Sequence, residues 1–309
     1  MTPFWSWWIT LISIGCWCFV TGALIFVLRM KPKLEEDGTT GHVYDGIREY
    51  DKPMPRWWLV IFWASIVFAV GYVAAYPSLG SWKGLLQIER EDGSTVNWTS
   101  VNEMQNDFDR NNSVFLADYQ KRFGGQTIDE LSDNSRALKV GQRLFLQNCA
   151  VCHGSNAKGN TGFPNLTDSD WLYGGSTDKI VETLHKGRKG GMPAWREKLG
   201  EDGIKATAEY VMSLSGRGDL NGAWVSEGQG LFKSNCALCH GADGKGNPAL
   251  GAPNLTDNIW LYGGDRATIR QTLRYGRAGV MPAWEASLGD ERINLLAAYV
   301  FSLSKAKAE

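Results

Sequence analysis

The sequence predicts an all-α protein: two transmembrane helices followed by two tandem helical domains of one type. Three observations carry this. Two uncharged apolar runs occupy the N-terminal quarter, the C-terminal half is an internal duplication, and neither copy shows a strand-like alternation of any length. The 309 residues carry a formal charge of −1, which gives no basic footprint for nucleic acid.

The first run, Phe4 to Leu28, contains no charged residue over 25 positions. As a helix it is about 37 Å long, against a hydrocarbon core of about 30 Å. It lacks a basic leader and runs into Arg29-Met30-Lys31-Pro32-Lys33 rather than small residues, so a retained anchor is expected, not a cleaved signal. Trp57 to Tyr76 gives a second run of 20 positions. Arg29, Lys31, Lys33, Lys52 and Arg56 crowd the 29–56 loop, and the N-terminal tail has no Lys or Arg. The positive-inside rule then puts this loop in the cytoplasm and both termini on the opposite side, with Trp5, Trp7, Trp8, Trp57, Trp58, Tyr76 and Trp82 as interfacial anchors. Neither span holds a histidine, so the chain has no ligand for a membrane-buried haem or copper of its own. Cys16 and Cys18 read as small apolar residues.

Residues 77–136 hold ten Asp/Glu against six Lys/Arg and little periodicity, which reads as a partly ordered connector. Beyond it, Gly141-Gln142-Arg143-Leu144-Phe145 repeats as Gly228-Gln229-Gly230-Leu231-Phe232 at an offset of 87. From Pro164-Asn165-Leu166-Thr167-Asp168 onward the offset is 89, through Trp171/Trp260, Tyr173/Tyr262 and Tyr210/Tyr299. Two copies at this period predict tandem domains, 137–218 and 219–309, rather than a solenoid. A helix is expected before CxxCH, on Leu138, Gln142, Phe145 and Leu146 in the first copy. A last helix is expected on Ile204, Ala208, Val211 and Leu214, and on Ile293, Ala297, Val300 and Leu303.

Each copy contains CxxCH: Cys149, Cys152, His153 and Cys236, Cys239, His240. This spacing reads as covalent attachment of haem c, two thioether sulfurs with the histidine beneath the iron. A zinc ribbon would not need a histidine at each motif, and a dithiol oxidoreductase would need a βαβ setting. The sixth ligand is expected from Gly-x-Met-Pro-Ala-Trp: Met192, 39 residues after His153, and Met281, 41 after His240. Thioether sulfur raises an iron potential relative to a second imidazole. His185 has Arg274 as its counterpart and reads as a surface residue. Carbonyls of Pro164 and Pro253 are candidate partners for the imidazoles; Arg188 and Arg277 are candidates for propionates or plain solvated charges. Trp195, Trp284, Tyr173 and Tyr262 are expected around the porphyrin.

Two spans, a tandem of such domains, and the loop His42-Val43-Tyr44-Asp45-Gly46-Ile47-Arg48-Glu49-Tyr50-Asp51-Lys52-Pro53-Met54-Pro55-Arg56-Trp57-Trp58 together resemble one family, as does Tyr76-Pro77-Ser78-Leu79-Gly80. It is the dihaem subunit III of cbb3-type cytochrome c oxidase. The resemblance implies two covalent haem c groups and a bacterial inner membrane with the haem domains in the periplasm. It further implies a haem b/copper catalytic subunit and a monohaem c subunit as partners, and a soluble or membrane-bound cytochrome c donor. Electrons would be relayed to oxygen reduction and proton translocation elsewhere, with no catalytic centre in this chain. The alternative is an anchored dihaem carrier serving another dehydrogenase or reductase; a peroxidase would need an open iron position, which two sulfur ligands deny.

Overall fold

The computed structural model describes residues 2–305 except 32, 37, 51 and 53. Pro32 of the basic flank and Asp51 and Pro53 of the loop motif lie outside the described residues, as do the last four residues expected in the second domain. The chain forms two compact units, Met1–Phe115 and Leu116–Glu309.

In the first unit, α1 (Pro3–Arg29) and α2 (Arg56–Ala75) match the two apolar runs. Pro3 at the first turn costs no hydrogen bond, and Arg29 sits at the C-terminal end, where a cation suits the helix dipole. Most side chains of both helices are exposed, Phe19 and Phe68 at 75% and 70%, and hydrocarbon is the medium that suits them. Between them β1 (Thr39–Tyr44) and β2 (Ile47–Tyr50) form a hairpin, turned at Asp45-Gly46 with positive φ at both. Ser6 near the start of α1 bonds Ser81 after α2, its Oγ accepting from the Ser81 N–H at 2.9 Å. The start of the first helix and the exit of the second therefore lie at one end, as a two-span hairpin requires. A second hairpin, β3 (Gln87–Glu89) with β4 (Thr95–Asn97), precedes α3 (Ser100–Phe123).

The connector is thus more ordered than its composition suggests. The helical stripe in α3 is sparse: Val101, Met104 and Phe108 are exposed among Asn and Asp, and only Tyr119 and Phe123 are buried.

The second unit begins with α4 (Ile128–Ser132), started by a Thr127–Glu130 capping box. There follow α5 (Ser135–Asn148), α6 (Ala150–His153), α7 (Thr177–Lys186), β5 (Arg188–Met192) and α8 (Arg196–Leu214), kinked at Gly200. The second copy repeats this as α9 (Gly222–Asn235), α10 (Ala237–His240), α11 (Arg266–Tyr275), β6 (Arg277–Met281), α12 (Glu285–Leu288) and α13 (Asp290–Lys305). Asn134, Ser176, Asn221 and Asp265 cap their helices through side-chain oxygen.

The copies do not close on themselves. β5 pairs antiparallel with β6, Arg188 opposite Met281 and Met192 opposite Arg277. Each strand leads out of this ribbon into the other copy: α13 packs on α5, α7 and α4, and α8 packs on α9 and α11. Core one joins Phe145, Cys149, Ile180 and Leu184 to Leu288, Ile293, Leu296 and Val300. Core two joins Ile204, Ala208, Val211 and Met212 to Phe232, Cys236, Ile269 and Leu273. The expected division at 218/219 therefore separates the sequence copies but cuts through both cores. The expected stripes on the last helices hold. That on the helix before CxxCH shifts by one position, to Ala137, Gly141 and Phe145, with Leu146 exposed. Gly141 carries the reason: a Cβ there would collide with the Leu295 carbonyl, and one at Gly228 with the Ala206 carbonyl. These glycines let two helix backbones cross in near contact. The strand pair escaped the sequence reading because Arg-Lys-Gly-Gly-Met and Arg-Ala-Gly-Val-Met carry no apolar alternation; each is a strand only through the other.

Candidate functional site

CxxCH forms one tight helical turn at the end of the helix before it. Phe145 O accepts from the Cys149 N–H at 2.8 Å, and Cys149 O accepts from the N–H groups of Cys152 and His153 at 3.1 and 2.9 Å. Cys236, Cys239 and His240 repeat these distances. One short turn thereby brings two sulfurs and an imidazole together. None of the four motif cysteines is in a disulfide. Burial first, and the neighbouring thiol second, pushes Cys149 and Cys236 up to about 11. A dithiol redox site does the reverse and depresses its nucleophile.

The histidines are 9% exposed. His153 Nδ1 lies 3.0 Å from Pro164 O, and His240 Nδ1 lies 3.1 Å from Pro253 O. Each Nδ1–H donates to its carbonyl, which fixes the ring and leaves Nε2 with its lone pair. Burial holds both imidazoles below the usual histidine value and so in the neutral, ligating form; the carbonyl bond opposes this more weakly.

The methionines are where the sequence expectation changes. Met192, numbered after His153, packs against core two with Cys236; Met281 packs against core one with Cys149. Trp195 and Trp284 cross in the same way. The cause is the β5–β6 ribbon, which carries each Met-Pro-Ala-Trp segment past the boundary. Beyond it, the Trp195 N–H donates to Leu273 O at 2.8 Å and the Trp284 N–H donates to Leu184 O at 2.9 Å.

Around these groups are polar atoms that the protein leaves without a partner. Arg188 Nε donates to Thr183 Oγ1 at 2.8 Å and Nη1 to Glu182 at 3.2 Å, but its buried Nη2 has none, and neither has Trp260 Nε1. The Arg188 and Arg277 guanidinium groups lie over the Tyr173 and Tyr262 rings at 4.8 and 4.4 Å. A buried donor without a partner costs about 1–3 kcal/mol, and an anionic haem side chain answers that need. Thiols, neutral imidazoles and orphaned donors together fit a c-type haem. Trp171 in core one and Trp260 in core two went unassigned in the sequence, although the repeat aligned them. His185, expected at the surface, is 22% exposed and lies between Glu285 and Asp290.

Comparison with known proteins agrees. Residues 36–83 match the family described as N-terminal domain of cytochrome oxidase-cbb3, FixP. Residues 136–211 and 223–300 match Cytochrome C oxidase, cbb3-type, subunit III. The chain is 41% identical over 303 residues to the cbb3-type cytochrome c oxidase subunit CcoP of Rubrivivax gelatinosus, covering 97% of this chain and 95% of that one. It is 42% identical to the subunit FixP of Bradyrhizobium sp. (strain ORS 278), over 87% and 95% of the two chains. To CcoP of Cereibacter sphaeroides it is 40% identical, over 89% and 99%. With c-type haem domains, two apolar helices and relatives that match nearly end to end, the chain belongs to the subunit III family of cbb3-type cytochrome c oxidases, as an electron-transfer subunit.

Proposed function

We propose that this subunit is a two-haem relay whose iron ligands are crossed between the copies. Cys149 and Cys152 would hold one haem c covalently, with His153 and Met281 as its further ligands. Cys236 and Cys239 would hold the second, between His240 and Met192. The observation that carries this reading is the sorting of Met281 into the core of Cys149 and of Met192 into that of Cys236. When bound, haem c supplies reversible one-electron exchange at iron. The chain's own residues do the rest. Pro164 and Pro253 carbonyls orient the imidazoles, Pro193 and Pro282 stiffen the loops that present sulfur, and Arg188 and Trp260 offer donors to propionate.

The basic loop supports a reading in which the haem-bearing half lies on the periplasmic side of a bacterial inner membrane. There it takes electrons from a soluble or membrane-bound cytochrome c and delivers them, through the monohaem subunit, to the haem b/copper subunit. Neither span offers a histidine for that buried chemistry.

The test is a redox titration in a Cys236→Ala, Cys239→Ala background, which keeps the first haem alone. Met281→His lowers its potential and removes the sulfur-to-iron absorption band, and Met192→His leaves both unchanged. The opposite pattern would restore ligation within each copy.

A further inference from the structure

The groups around the two haem sites are duplicated, but one cluster on the boundary between the copies is not. At the end of α7, His185 lies between two carboxylates from the other copy. Its Nδ1 is 3.7 Å from Glu285 Oε2 and its Nε2 is 3.9 Å from Asp290 Oδ1. One donor atom from each of the three residues lies within 4.8 Å of the other two. The imidazole is mostly buried, whereas the carboxylates are 64% and 72% exposed and have room to turn.

The internal symmetry gives an independent reason to look here. At the offset of 89, His185 corresponds to Arg274, Glu285 to Arg196 and Asp290 to Glu201. On that side Arg274 donates to Glu201 at 2.9 and 2.6 Å, and Arg196 adds a contact at 3.2 Å. Two guanidinium groups thus hold one carboxylate. On the His185 side the same backbone positions carry two carboxylates and an imidazole. Both permanent cations have been exchanged for groups that bind a cation.

We propose that His185, Glu285 and Asp290 form a binding site for a divalent cation of the zinc class. One imidazole nitrogen with two carboxylate oxygens is a donor set zinc accepts, and imidazole disfavours magnesium and calcium. Bonds of about 2.0–2.2 Å require the donors to draw closer by roughly an ångström, which rotation of the exposed carboxylates supplies. Water completes the shell. The site adjoins the Trp284–Leu184 backbone bond, so a bound ion clips α12 and α13 to α7 and secures the segment that presents Met281 to core one.

The test uses the full-length haem-loaded protein in detergent, titrated with Zn2+ by calorimetry, with metal content measured after equilibrium dialysis. His185→Arg copies the arrangement of the other half and should fold normally, which the haem spectrum checks. Wild type should take up one Zn2+ more than this variant, with affinity at the site falling about tenfold or more in it. Conversely, Arg196→Glu with Arg274→His builds a second copy beside Glu201 and should raise uptake by one further ion. Equal uptake by wild type and His185→Arg overturns the proposal. No uptake by wild type does so too.

Discussion

Between α8 and α11, Glu209 and Glu201 meet Arg266, Arg270 and Arg274; between α13 and α7 the same positions hold Ala298, Asp290, Thr177, Val181 and His185. The backbones match, but where core two has an ion-pair ladder, the buried Glu209 with Arg266 and Arg270, core one has the uncharged Ala298, Thr177 and Val181. Glu209 is 2% exposed and accepts from Arg266 at 2.7 and 3.3 Å, from Arg270 at 3.3 Å and from the Asn221 N–H at 3.3 Å. The difference bears on how the chain chooses its crossed packing. An uncrossed arrangement would set Glu209 against Val181 and Thr177, and the α11 arginines against Ala298. Buried charge without a partner is expensive, so the asymmetric ladder rejects that alternative. Two apolar junctions could not have told α8 from α13.

The largest expected effect comes from removing the centre of the ladder. Glu209→Ala should cost about 3 kcal/mol, read as a lower urea midpoint, because it removes the buried carboxylate that Arg270 and Arg266 share and leaves Arg266 only partly compensated by Asp219. Adding Arg266→Thr and Arg270→Val, which copies the core one junction, should recover most of the loss. If the triple variant is no better than the single one, the two junctions are not interchangeable.

The next effect should be equal in the two halves. Gly141→Ala and Gly228→Ala each drive a methyl into a facing carbonyl and should cost about 1–3 kcal/mol, as overpacking does. Gly230→Ala, in the same helix as Gly228 but facing open space, should instead stabilise by about 0.5–1 kcal/mol. Unequal losses at the two buried glycines would show that the helix crossings differ despite their shared geometry.

The smallest effect is a pH dependence present in one copy alone. Hydrogen bonds from Lys179 first and Arg188 second, with the Coulomb attraction of both, hold Glu182 at about 2, below its ordinary value of 4.5. A folded value below the unfolded one adds stability that is present above the ordinary carboxylate range and lost as pH falls toward 2. Gln271 stands at the matching position in the second copy and contributes nothing of this kind. Glu182→Gln should therefore lie slightly below wild type in urea midpoint at pH 6, and the gap should shrink at pH 3. A constant gap would point to packing rather than charge.

Much of this was readable from residues alone. The spans follow from uncharged runs, the duplication from Gly141/Gly228 and Pro164/Pro253, and the imidazole partners from the prolines that precede Asn-Leu-Thr-Asp. The crossing was not readable, because a repeat with identical spacing in both halves fits either pairing; only contact shows which Met-Pro loop reaches which core. Its trace in the sequence is the match between the acidic residues of α8 and the arginines at 266, 270 and 274, a pattern that acquires meaning only once those helices are known to touch. The polar stripe of α3 was missed because so few of its apolar residues are buried.

Because α12 and α13 supply half the buried residues of core one, the pocket around Cys149 stays open until those two helices have been synthesised. Whatever attaches the first cofactor must therefore either work on an unfinished pocket or wait for α13 to arrive. Truncation from the C-terminal end should damage the earlier motif before the later one.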